Sequence, residues 1–214
     1  MTQPRLVHVV DDDDAVRESA AILLESAGYD VETHDSGVAF LQELADGAPG
    51  CVLLDIHMPG ITGLQVQTEM KARQMDWPVI VLTGQGDVGI AVQAMKSGAF
   101  EFLEKPYQNE ILLETLRAAF ETLEARTEES ERSAGARALI DSLTPREREV
   151  MQALLAGLPN KLIAYELDLS VRTVEIYRAN VMAKLKARGL STAVRIAMAA
   201  GLSPLEERHC DDKD

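Results

Sequence analysis

The chain has 214 residues, 46% of them hydrophobic, and a formal net charge of −14; that length suits one or two globular domains. No apolar stretch approaches the roughly 18–20 residues of a membrane span, and Asp11 to Asp14 break any signal-peptide core, so neither a membrane segment nor a secretory signal is expected. Two cysteines are too few for a disulfide framework; Cys51 in an apolar run and Cys210 in a polar tail read as free thiols of a reducing cytoplasm.

In chain order, Leu6-Val7-His8-Val9-Val10 is a strand-like run that ends in Asp11-Asp12-Asp13-Asp14. A helix is predicted at 15–27, a strand at 30–34 and a helix at 36–45. Cys51-Val52-Leu53-Leu54 is a second apolar run, closed by Asp55 and a turn through Ile56-His57-Met58-Pro59-Gly60; Asp55 is expected to be exposed at the strand's carboxyl end. A helix at 64–74 leads to Val79-Ile80-Val81-Leu82, which runs into Thr83-Gly84. A helix at 87–97 leads to Phe100-Glu101-Phe102-Leu103, followed by Glu104-Lys105-Pro106 and a helix at 108–128. Strands alternating with helices at this spacing make a parallel, doubly wound α/β sheet.

The composition changes at 125–141, which is polar and poor in large apolar groups and reads as a linker that begins as an extension of the last helix. Residues 143–201 hold no strand-like run and are predicted as four short helices, the first opened by Thr144 as N-cap with Pro145 and Glu147 in its first turn. The organisation is then an α/β domain over 1–125, a linker over 126–141, an all-α domain over 142–203 and a disordered tail over 204–214. Residues 1–130 carry 8 Lys/Arg against 23 Asp/Glu, a balance of −15, and residues 142–203 carry 9 against 5, a balance of +4. An acidic half joined to a mildly basic one points to two domains with different partners.

In an open α/β sheet, groups at the carboxyl ends of the strands meet in one crevice. Here they are Asp11, Asp12, Asp55, Thr83 and Lys105. Each alone has a plain reading: a run of aspartates is usually a solvated loop, a threonine after a strand a turn residue, a Lys-Pro a strand end. Together they form a divalent-metal and phosphoryl site. Carboxylate oxygens of Asp11, Asp12 and Asp55 suit Mg²⁺, Lys105 is a point charge for a phosphoryl oxygen, and Thr83 is a hydroxyl donor.

In the second half, Lys161-Leu162-Ile163-Ala164-Tyr165-Glu166-Leu167 is a short amphipathic helix, Asp168-Leu169-Ser170 a tight connection, and Ser170 the N-cap of a helix running to about Leu185. Val174, Tyr177, Val181 and Leu185 share one face. The opposite face carries Arg172, Glu175, Ile176, Ala179 and Ala183, with Arg178, Lys184, Lys186 and Arg188 at its flanks. Two helices joined by a three-residue turn read either as a DNA-binding helix-turn-helix or as a helical protein-interaction module.

These motifs carry a resemblance. Val9-Val10-Asp11-Asp12, Leu54-Asp55 with Pro59-Gly60, Leu82-Thr83-Gly84 and Lys105-Pro106 are similar to the receiver domain of two-component response regulators over about residues 5–125. Leu143-Thr144-Pro145-Arg146-Glu147, Gly157-Leu158-Pro159-Asn160-Lys161, Ile163-Ala164 and Ser170-Val171-Arg172-Thr173-Val174-Glu175 are similar to the LuxR-type helix-turn-helix over about 142–201. The chain as a whole resembles the FixJ-type regulators of the NarL/FixJ class, with Tyr177 where many relatives have His.

The resemblance implies a flavodoxin-like receiver followed by a four-helix DNA-binding domain. It implies that Asp55 is the phosphoacceptor, that Thr83 and Phe102 are the switch pair, and that Lys105 precedes a cis proline. Asp11, Asp12, Asp55 and the backbone carbonyl of His57 would hold Mg²⁺, while His57 and Gln85 would tune the phosphoryl lifetime. Asp13, where relatives often carry Glu, is not expected as a ligand. DNA contacts fall on Asn160, Lys161, Arg172, Thr173, Glu175, Ile176, Arg178, Ala179, Lys184 and Lys186. The implied partners are a sensor histidine kinase, double-stranded promoter DNA, RNA polymerase and a second copy of the chain on phosphorylation. The implied setting is cytoplasmic, the implied genes microaerobic or nitrogen-fixation genes. Apart from taking up and losing its own phosphoryl group, no enzymatic activity is expected. A metal-dependent phosphatase would share the carboxylates, Thr and Lys, but its nucleophile usually lies on the first strand. A phosphate-independent DNA-binding protein with a relic receiver would not keep the full set.

Overall fold

The computed structural model describes residues 5–44, 48–84 and 88–205, and the chain divides into two units between Arg126 and Thr127. Gln85, Cys210 and the tail from Glu206 lie outside the described residues. The first unit holds strands β1 (Leu6–Val10), β2 (Asp30–His34), β3 (Cys51–Asp55), β4 (Val79–Thr83) and β5 (Glu101–Glu104). All pair in parallel, in the order β2-β1-β3-β4-β5. Between them run α1 (Asp14–Ser26), α2 (Gly37–Glu43), α3 (Gly63–Ala72) and α4 (Val88–Lys96), and α5 (Asn109–Asp141) follows β5. This is the doubly wound, flavodoxin-like sheet, its elements within a residue or two of the predicted ones except at the end of α5.

Burial explains which strands were plain in the sequence. β1, β3 and β4 are buried along their whole length and read as apolar runs, interrupted by His8 in β1 and closed by Asp55 and Thr83 in β3 and β4. β2 and β5 are the edges and keep polar residues. On one face Val7, Val9, Leu53 and Leu82 share a core with Leu24 of α1 and Leu112, Leu116 and Phe120 of α5. On the other, Val10, Val52, Leu54 and Val81 pack with Phe40 of α2, Val66 and Met70 of α3 and Ala94 of α4. Each such side chain contributes about 1.5–3 kcal/mol on burial. Cys51 is a buried free thiol whose pKa burial pushes up to about 12.

The second unit contains α6 (Pro145–Leu155), α7 (Asn160–Glu166), α8 (Val171–Lys184) and α9 (Leu190–Ala199), the four short helices expected. Thr144 caps α6 with the full capping box to Glu147, and Pro145 stands at the first turn. The core joins Val150, Met151, Ile163, Val174, Val181, Leu185, Ala193 and Ala197 to Ile140 and Leu143, with Leu139 packed against it. The stretch 126–141, expected as a linker, is therefore helical, and its last turns are part of a core. The reason is a stripe at i, i+3, i+4 and i+7, Ala136, Leu139, Ile140 and Leu143, set among polar residues that mask it. Leu205, expected in the tail, donates its N–H to the Gln152 carbonyl at 3.0 Å and packs on the same core. Among the described residues no helix is long and apolar enough to cross a membrane.

Candidate functional site

The strand order reverses between β1 and β3, and the crevice of an open α/β sheet lies at that point, outside the carboxyl ends of the strands. Register aligns what stands there. Val10 pairs with Leu54, Asp55 with Leu82 and Thr83 with Glu104, so Asp11, Asp55, Thr83 and Lys105 come at the same edge, each at or one step past a pairing.

Lys105 Nζ donates to Asp11 Oδ2 at 2.6 Å and to Asp55 Oδ1 at 2.5 Å. Asp11 and Asp55 are 1% and 5% exposed. Asp55 is thus buried rather than exposed as expected, because the Lys105 ammonium covers one oxygen and the chain folds back over its backbone. Gly63, the first residue of α3, donates its N–H to the Ile56 carbonyl at 3.0 Å, and a Cβ there would sit 2.3 Å from the Asp55 carbonyl oxygen. Burial alone would lower the Lys105 pKa, but its hydrogen bonds to Asp11 and Asp55 outweigh this and raise it, so the ammonium stays charged.

Asp11 is held on several sides. Its Oδ1 accepts the Asp13 N–H at 3.0 Å, its carbonyl accepts Arg17 Nη1 at 2.7 Å, and its own N–H donates to the His34 carbonyl at 3.2 Å. Asp13 is the N-cap of α1, accepting from Ala15 and Val16. Thr83 ends β4, 3% exposed, and its carbonyl accepts the Lys105 N–H at 2.8 Å. Phe102 lies on β5 beside Val81, 42% exposed. The Lys105–Pro106 peptide is cis, and the His57 side chain is exposed in the loop after β3. Carboxylate oxygens of Asp11, Asp12 and Asp55 lie within 4.8 Å of one another. Clustered hard oxygen donors beside one ammonium fit the ligand set that Mg²⁺ takes.

In the second unit the turn between α7 and α8 is made by Asp168 at φ 54°, a left-handed position that Asp tolerates. Ser170 caps α8, its hydroxyl accepting the Thr173 N–H at 3.0 Å. Val174, Val181 and Leu185 are buried, Tyr177 is half-buried, and Arg172, Glu175, Ile176, Ala179 and Ala183 are exposed. The two faces are as the periodicity predicts. Lys161 and Lys186 are exposed, Thr173 is half-buried beneath the cap, and Arg178 bonds Asn160 Oδ1, tying α8 to the start of α7. Lys184 turns back toward α6: its Nζ donates to Glu147 Oε2 at 2.6 Å and to the Ser142 carbonyl at 3.2 Å.

The family model of the response regulator receiver domain matches residues 7–117, and that of the bacterial regulatory proteins of the luxR family matches residues 141–197. The chain belongs to the two-component response regulators with a LuxR-type DNA-binding domain. It is 46% identical over 202 residues to the transcriptional regulatory protein FixJ of Bradyrhizobium diazoefficiens, covering 94% of this chain and 98% of that one. It is 48% identical over 203 residues to FixJ of Azorhizobium caulinodans, covering 94% and 95%. The solved structure of response regulator StyR is similar at a TM-score of 0.82 with 38% identity, covering 91% of this chain and 98% of that one.

Within this regulator some contributors escaped sequence reasoning. Arg17 braces the acidic loop from one helical turn away, and an arginine in an amphipathic helix carries no signal of such a role. Gly63 permits the close approach to Asp55, legible only as a glycine after a threonine cap. Glu147 is 4% exposed and its carboxylate is kept below the usual range, first by Lys184 and then by the Thr144 backbone N–H. The capping box gave away the second of these partners and not the first.

Proposed function

We propose that phosphorylation of Asp55 by a sensor histidine kinase controls dimerisation and promoter binding, and so activates transcription with RNA polymerase. The observation that carries this is the Lys105 ammonium held between the buried carboxylates of Asp11 and Asp55, with Thr83 at the next strand end. An Asp55 oxygen attacks the phosphorus of a phosphohistidine; the P–N bond breaks as the P–O bond forms, and the histidine leaves with the electron pair. Lys105 is placed to follow the new phosphoryl oxygens, and Thr83 to donate its hydroxyl to one. Asp11, Asp12, Asp55 and the His57 carbonyl would hold Mg²⁺, which when bound neutralises phosphoryl charge. Such chemistry is mostly positioning and charge neutralisation, and the chain turns over no separate substrate.

The new dianion draws Thr83 inward and lets Phe102 leave its half-exposed position, biasing the α4–β5 face toward a homodimer. Two copies of α8 then read two half-sites. Arg172, Thr173, Glu175, Ile176 and Ala179 face base edges, while Asn160, Lys161, Arg178, Lys184 and Lys186 serve the phosphates or hold the helices that do. The setting is the cytoplasm. On the resemblance to FixJ the regulated genes include oxygen-responsive ones, which a transcript profile of a deletion strain under low and high oxygen checks.

Acetyl phosphate with Mg²⁺ should add one base-labile phosphoryl group to the whole chain, and footprinting should show a promoter protected only after that treatment. Asp55→Asn should take no label and give no protection. Undiminished labelling of that variant overturns the assignment.

A further inference from the structure

Away from the acidic pocket, three side chains of the receiver domain bring two imidazole nitrogens and a carboxylate oxygen together. His8 on β1 and Glu32 and His34 on β2 stand on one face of the sheet, since His8 pairs with Glu32 and Val10 with His34. His8 and His34 are 1% and 4% exposed, while the Glu32 side chain is 56% exposed. His8 Nδ1 lies 3.3 Å from His34 Nε2 and 3.4 Å from Glu32 Oε2, and ligand atoms of all three lie within 4.8 Å of one another.

The outer ring nitrogens face acceptors. His8 Nε2 faces the Ala48 carbonyl oxygen at 3.4 Å, and His34 Nδ1 faces Glu43 Oε2 at 3.0 Å. With the protons on those two nitrogens, facing groups that only accept, the inner nitrogens carry the lone pairs. At His34 the alignment falls outside that of a hydrogen bond, which leaves Nδ1 buried without a hydrogen-bond partner. In that tautomer pair the inner nitrogens meet lone pair to lone pair, beside an acceptor from Glu32. Such a meeting repels unless a cation lies between.

We propose that His8 Nδ1, His34 Nε2 and a Glu32 carboxylate oxygen form a binding site for a divalent transition metal, with Zn²⁺ as the ion that fits best. Tetrahedral Zn²⁺ with bonds of about 2.0–2.1 Å sets neighbouring ligand atoms about 3.3–3.4 Å apart, which is the spacing of the two closest pairs here. Two imidazoles and one carboxylate suit Zn²⁺ over Mg²⁺. Water completes the fourth position on the side where Glu32 meets solvent. The carbonyl and carboxylate behind the two rings are the outer partners that ligating histidines carry. Packing holds the rings in place: Trp77 stacks on His8 with centroids 5.3 Å apart, and Phe40 meets His34 edge-on at 5.1 Å. The ion would brace the β1–β2 edge one hydrogen bond from the acidic pocket, since Asp11 donates its N–H to the His34 carbonyl.

Trp77 is the chain's single tryptophan, so its fluorescence reads the site directly. The full chain, stripped with chelator and held in excess Mg²⁺ to cover the acidic pocket, is titrated with Co²⁺ and then with Zn²⁺. The expected result is quenching of Trp77 by one equivalent of Co²⁺ with the visible absorption of tetrahedral cobalt, reversed by Zn²⁺. Glu43→Gln should weaken Zn²⁺ about tenfold, Glu32→Gln more, and His34→Gln should abolish binding; Asp12→Ala and Cys210→Ser should leave it intact. Glu32 and Glu43 are exposed, so their variants keep the fold even if the histidine variant does not. Absence of quenching, affinity unchanged in Glu32→Gln, or loss of binding in Asp12→Ala or Cys210→Ser each overturns the proposal, the last two by moving the ion to the acidic pocket or to the tail.

Discussion

Lys105 shows how one residue sets the state of a whole pocket. Its ammonium lies within 2.6 Å of carboxylates at the ends of two different strands, and its side chain is 26% exposed. Removing it leaves two buried anions facing each other. Lys105→Ala should therefore cost about 2–3 kcal/mol without Mg²⁺, and added Mg²⁺ should stabilise the variant more than it stabilises the parent by mass action. Thermal unfolding with and without Mg²⁺ checks both; equal Mg²⁺ responses would mean that the pocket's charge is balanced elsewhere. Asp11, Asp55 and Lys105 were legible because each follows an apolar run. His8 and Glu32 were not, because a polar residue within a strand looks the same whether it meets solvent or another strand's histidine.

At the scale of the element, α8 presents one buried and one exposed face. Its exposed face, Arg172, Glu175, Ile176 and Ala179, followed from the 3.6-residue period. Arg172→Ala or Glu175→Ala should alter which operator bases matter, by about 1–3 kcal/mol per lost bidentate contact. Lys161→Ala and Lys186→Ala should weaken all sequences alike and lower the salt slope. Binding to base-substituted operators across a salt series separates the sets, and identical behaviour would mean the faces are misread. Lys184 belongs with neither, since it is bonded to the buried Glu147 of the α6 cap. The Glu147 pKa is lowered in the fold, first by Lys184. Its contribution is thus fully present above the ordinary carboxylate range and is lost as pH falls through the lowered folded-state value. Lys184→Ala should make the LuxR-type domain less stable at neutral pH and flatten this acid dependence, read by urea denaturation from neutral to acid pH; an unchanged profile would assign the acid dependence to another group.

For the whole molecule, the boundary between units decides which fragment is meaningful. A fragment beginning at Ser142 lacks Ile140, 3% exposed in the second core, and Leu139, packed against that core, while one beginning at Thr127 retains them. The shorter fragment should be less stable by about 2–4 kcal/mol, measured by thermal unfolding. The longer one tests control: freed of residues 1–126, which carry 8 Lys/Arg against 21 Asp/Glu, a balance of −13, it should bind promoter DNA without phosphate, and more tightly than the unphosphorylated whole chain. If it stays inert while the phosphorylated chain binds, the receiver acts by dimerising and not by restraint.

The sequence by itself determined the order and type of the elements, since buried parallel strands read as apolar runs and amphipathic helices repeat at 3.6 residues. It determined the acidic pocket too, since Asp11, Asp55, Thr83 and Lys105 each stand at or just past the end of a strand, and parallel strands bring such ends together. Tertiary structure decided what depends on partners far along the chain. It buried Asp55 beneath Lys105, turned Lys184 from solvent to Glu147, and drew Leu139 and Ile140 onto a core. It also set His8 against His34, 26 residues away. A side chain's local pattern states its periodicity and its chemistry, and only the packing of distant segments states which atoms it meets.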